Sequence, residues 1–132
     1  MPPLDCPELR ALVHGERDPG HFPHREHLRM GFELLRRHDF ALALQLYSQA
    51  LRAMTARAGK PQVFNQTITV AFLSLIAERL QGLPGSDFAQ LLQAFPELLD
   101  KGALASWYSS ERLSSRAARD TFLLPDRLPA RP

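Results

Sequence analysis

Cysteine is nearly absent from this chain of 132 residues, where Cys6 stands alone. A single thiol excludes an internal disulfide and any thiolate cluster for zinc or iron–sulfur chemistry. Lysine is scarce too, with 2 residues against 14 arginines, and the arginines form no dense run interleaved with aromatic rings as a single-strand groove requires. Nucleic acid is therefore not expected as a partner. No apolar run approaches the roughly 20 residues of a membrane span, and Met1-Pro2-Pro3-Leu4-Asp5 lacks a basic segment followed by an apolar one. Together these absences point to the cytoplasm and to no membrane association. Missing as well are a Gly-x-Ser-x-Gly elbow, a glycine-rich phosphate loop and a His-Glu-x-x-His helix, so hydrolase and nucleotide chemistry have no local support.

The chain does have 45% apolar residues, enough for one ordinary core, and the small net charge of +2 sets no electrostatic theme. The expectation is a single helical domain over residues 1–132. Asp5 and Glu8, with Pro7 between them, start a short helix that runs to His14, and Asp18-Pro19-Gly20 makes a turn. Leu28, Gly31, Phe32 and Leu35 then recur at helical spacing over residues 23–37. Phe40, Ala43, Leu44, Tyr47, Ala50, Leu51 and Met54 do the same over residues 40–58. The short break at Arg37-His38-Asp39 makes these two helices a hairpin. Gly59-Lys60-Pro61 ends the second helix. A third, from Gln62 or Val63 to about Leu80, carries Phe64, Ile68, Phe72, Leu75 and Ile76. Further on, Ser86 is placed to cap a helix through Phe95, and Pro96 to start another ending near Lys101. Ser109 and Ser110 are placed to cap another turn, and Ser114 to cap a helix from Ser115 to about Phe122. The fold class is all-α, a single compact bundle of five or six helices built on the central hairpin. Residues from about 124 to 132 form an extended tail, docked through Phe122, Leu123 and Leu124.

His24 and His27 are the sharpest candidates for chemistry. Three residues apart on a helix, they share a face and supply two ligands to a divalent metal, where zinc needs three or four. His21 and the helix after Phe64 are the available sources of others. Hydrogen-bonded structural histidines are the competing reading. Asn65 and Thr69, one turn apart, border the third helix's apolar face and point toward a neighbour. Arg112, Arg116 and Arg119 fall near one face, either to receive an anion or to pair with Glu111 and Asp120. Gly31, Ala43, Tyr47 and Ala50 are similar to the small-and-aromatic pattern of a tetratricopeptide repeat, but one repeat is not an array.

Larger motifs run through the whole chain: Phe22-x-His24-x-x-His27-Leu28, then Phe64-Asn65-Gln66-Thr67-Ile68-Thr69, then Trp107-Tyr108-Ser109, Ala118-Arg119 and Leu124-Pro125-Asp126. This order resembles a group of small uncharacterised bacterial all-helical proteins with His-x-x-His-Leu, aromatic-His-Glu-Thr-x-Thr, Tyr-Ser and Ala-Arg motifs. Position by position, His24, His27, Thr67, Thr69, Tyr108, Ser109 and Arg119 match the group's motifs, in which the resemblance implies that the His-Glu pair and the two upstream histidines could complete a metal site. Asn65-Gln66 replaces the group's His-Glu, and neutral amides are poor metal ligands that still donate and accept hydrogen bonds. The expected function is therefore binding of a small polar molecule or a metal in a pocket formed by His24, His27, Asn65, Thr69, Tyr108 and Arg119. The alternative is a non-catalytic interaction module, acting as a homodimer or on another protein. If there is a reaction, a histidine is its natural acid or base.

Overall fold

Asp39 sets the first half of the structure. Its extended backbone interrupts the helix, and its carboxylate accepts a hydrogen bond from the Leu42 amide at 2.9 Å, which starts the next helix. The computed structural model describes residues 24–127. The expected helix from Asp5 to His14, Cys6, the turn at residues 18–20, His21 and the end of the tail lie outside the described residues. Among the described residues there are six α-helices and no strand, so the chain is all-α. No helix among them is long and apolar enough to cross a membrane. The chain divides into two compact units, Met1–Phe64 and Asn65–Pro132.

The first unit holds helix α1, His24–Arg37, and helix α2, Phe40–Arg57, which pack as the expected hairpin. The small residues behave as the pattern requires: Gly31, Ala43 and Ala50 are buried, and so is the Tyr47 ring. Burial extends beyond the expected stripe on α1, because Met30 and Leu34 form a second buried strip beside Leu28, Gly31 and Phe32. Charged residues take the remaining arc, where Glu33 pairs with both Arg36 and Arg37. At the end of α2 the Gly59 amide donates to Ala56 O and the Lys60 amide to Thr55 O, with Gly59 at φ 74°. This is the paired closure that only a residue at ease in the left-handed region makes without strain. A 3-10 turn, Pro61–Val63, follows, and the Arg52 guanidinium lies 4.2 Å from the centre of the Phe64 ring.

The second unit is built on helix α3, Gln66–Gln81. Shorter elements follow: helix α4, Phe88–Ala94; 3-10 turns Pro96–Leu99 and Ala103–Ser106; helix α5, Ser110–Leu113; and helix α6, Arg116–Asp120. Two caps among these shorter elements differ from expectation. Asp87 replaces Ser86, because Asp87 and Gln90 exchange side-chain and backbone hydrogen bonds, a reciprocity that Ser86 and Ala89 cannot form. Ser115 replaces Ser114, which closes α5 instead. That break separates Arg112 from Arg116 and Arg119, so the three do not share one helix. Arg116 pairs with Asp120 at 3.5 Å, and Arg112 donates from Nε to Leu124 O at 2.7 Å.

Helix α3 departs most from its expected apolar pattern. Ile68 is 41% exposed whereas Thr67 is fully buried and Thr69 nearly so. The threonines tolerate burial because their hydroxyls have partners. Thr69 donates to Asn65 O at 2.7 Å, and Thr67 both donates to Thr121 O at 2.8 Å and accepts from the Leu123 amide at 3.0 Å.

Candidate functional site

Of the six residues expected to form a pocket, His24 and His27 belong to the first unit and Asn65, Thr69, Tyr108 and Arg119 to the second. His24 and His27 are half-buried on the first turn of α1. No three His, Cys, Asp or Glu side chains stand together as metal ligands among the described residues.

Asn65 does not lie within the helix but caps it. Its Oδ1 accepts from the Ile68 amide at 2.9 Å, and its Nδ2 donates to Leu113 O at 2.7 Å, tying the start of α3 to the end of α5. Its backbone carbonyl receives the Thr69 hydroxyl. Both amide functions are thus engaged within the unit. Asn65→Ala is expected to cost about 1–3 kcal/mol, the sum of a lost cap and a lost tertiary hydrogen bond, read from the urea midpoint. A cost near zero would deny Asn65 this structural role. Arg119 reaches Ser114 O at 3.5 Å, a marginal contact, and is otherwise exposed.

Tyr108 leads to a feature that hydropathy alone did not reveal. Residues 121–127 form an extended strap held by hydrogen bonds rather than by apolar side chains. Tyr108 donates its hydroxyl to Leu123 O at 2.8 Å, Thr67 grips Thr121 and Leu123, and the Arg127 amide donates to Trp107 O at 2.9 Å. Asp126 accepts from both the Ser109 amide, at 2.8 Å, and the Ser109 hydroxyl, at 2.6 Å. Phe122 and Leu124, expected to dock the tail, remain 40% and 69% exposed, and Leu123 is half-buried. Burial raises the Tyr108 phenol above its usual range, so it stays a neutral donor.

The Ser109 hydrogen bonds lower the Asp126 carboxyl below its ordinary value of 3.8, the hydroxyl contributing most. A carboxyl lowered in the folded state stabilises that state fully above the unfolded pKa. The contribution disappears as pH falls through the lower folded value. Below about pH 4 the wild type is therefore expected to lose melting temperature more steeply than Asp126→Ala, with thermal melts between about pH 6 and pH 2.5 as the measurement. Parallel curves would remove Asp126 from the clasp.

Beside the strap lies a cleft of about 210 Å³. One wall comes from α3, where Ala71, Ser74, Leu75 and Glu78 follow the one-face spacing of a helix. Leu104, Trp107 and Tyr108 form the second wall, and Phe122 and Pro125 of the strap the third. Three aromatic rings meet there. The Ser74 hydroxyl is engaged by Val70 O at 2.7 Å and Tyr108 by Leu123 O, which leaves Glu78 as the one charged side chain of the lining. Tyr108 alone of the six expected residues lines this cleft. Of the first two walls, the sequence singled out the Trp107-Tyr108 pair and Leu75, whereas Ala71, Ser74 and Glu78 carried no signal of their own. Their meeting depends on the path of the strap.

Comparison with protein-family models, with curated proteins and with solved structures finds no match to this chain.

Proposed function

We propose that this is a ligand-binding helical protein whose second unit takes a small, largely apolar molecule into the cleft beside the strap. The observation that supports it is the set of three rings, Trp107, Tyr108 and Phe122, around about 210 Å³. A cavity of about 150 Å³ lined by apolar side chains holds a benzene ring, so this one suits a single ring with a short substituent. In this reading Tyr108 is retained from the expected polar pocket, while Asn65 and Thr69 serve the architecture of α3. A cytoplasmic setting agrees with the single cysteine.

Trp107 is the only tryptophan, so its fluorescence reports directly on the cleft. Single-ring compounds are expected to change it saturably with dissociation constants on the order of 0.1–1 mM, as about nine heavy atoms can supply. Ala71→Leu fills the cleft from α3 and is expected to abolish the response while the melt and far-UV spectrum hold. No saturable response in the wild type, or an undiminished one in Ala71→Leu, overturns the proposal.

A further inference from the structure

Resting on that reading, we propose that the cleft selects a cationic ligand, an arylalkyl ammonium whose ring sits against Trp107 and Phe122 and whose nitrogen reaches Glu78. The lining has no cationic side chain, and its single carboxylate stands on the same strip of α3 as Ala71, Ser74 and Leu75. An anionic ligand meets the Glu78 carboxylate with no cationic side chain in the lining to offset it. Aromatic neighbours do not oppose the charge, since a ring's electron-rich face attracts a positive nitrogen that comes near it. Glu78 is 78% exposed, so a cation beside it remains hydrated and avoids the desolvation cost of a buried ion pair.

The nearest competing cation is Arg79, whose NH1 lies 3.5 Å from Glu78 Oε1. Its side chain is only 26% exposed and stands 5.4 Å from the centre of the Phe95 ring, while its Nε lies 3.9 Å from Glu97 and makes no hydrogen bond. The Glu78 contact is longer than a good charge-assisted hydrogen bond, so the carboxylate keeps acceptor capacity for a ligand ammonium. The Ser74 and Tyr108 hydroxyls already donate to backbone carbonyls and do not favour a ligand carboxylate.

The test compares three probes of one shape, 2-phenylethylammonium, 2-phenylethanol and phenylacetate, by Trp107 fluorescence on the full chain. The ammonium is expected to bind about tenfold tighter than the alcohol, and phenylacetate weakest. Glu78→Gln is expected to reduce the ammonium's advantage to about threefold or less and leave the alcohol unchanged, while Glu111→Gln, an exposed carboxylate outside the lining, preserves the full advantage. If the alcohol binds as tightly as the ammonium, or if Glu78→Gln keeps the tenfold preference, the cationic selection is wrong and the cleft survives as an apolar site. If none of the three binds, both this inference and the proposed function fall.

Discussion

Replacing Tyr47 with alanine is expected to lower stability by about 3–5 kcal/mol, the cost of deleting a large buried ring whose space is not refilled. Tyr47 is 1% exposed, and the residues nearest one turn away on its face, Ala43 and Ala50, are fully buried. Neither alanine can extend into the void, and the hairpin must either keep a cavity or separate. The loss is a large part of the 5–15 kcal/mol that typically holds a domain together. Burial pushes the phenol far above the usual tyrosine range, so the side chain acts as a neutral filler. Tyr47→Phe, which keeps the ring, is expected to cost no more than about 1 kcal/mol. Urea unfolding measures both. A Tyr47→Ala loss below that of the phenylalanine variant would mean that the ring does not organise the first unit.

Thr67→Val is expected to cost about 1–3 kcal/mol although it exchanges side chains of nearly equal volume. The valine methyl takes the position of an oxygen that serves two strap groups at once, and leaves Thr121 O and the Leu123 amide without their partner. The strap then detaches at its start. Hydrogen exchange at the Leu123 amide should accelerate by about the factor that the lost stability predicts. Because Phe122 lies between the two released groups and forms part of the cleft wall, binding of a single-ring ligand should weaken in the same variant. Thr67→Ser keeps the oxygen and should preserve exchange and binding. Equal exchange in the valine variant and the wild type would show that the strap is held by its other hydrogen bonds, to Tyr108, Ser109, Arg112 and Trp107.

These two positions show how unevenly the structure was legible in the sequence. Around Tyr47 the reading was direct. Apolar and small residues at three- and four-residue steps, a short break at Arg37-His38-Asp39, and Gly59 at the end specify a hairpin through contacts within a few turns. Thr67 shows the opposite. Hydropathy puts a threonine outside and Ile68 inside, and the structure reverses them, because the hydroxyl is satisfied by backbone more than fifty residues away. Asn65 likewise gave up its expected place inside a helix once its amide found Leu113.

By itself, the sequence determined the all-α class and the hairpin with its ends, since each depends on local spacing or on composition. Only the tertiary structure decided which polar residues are buried and where a ligand has room. The strap supplies both answers. Its carbonyls and amides are backbone groups that every residue carries, so no side-chain pattern announces that Thr67, Tyr108 and Arg112 will bind them. The cleft follows from that same path, which brings Phe122 and Pro125 against a strip of α3 that lies remote in the chain.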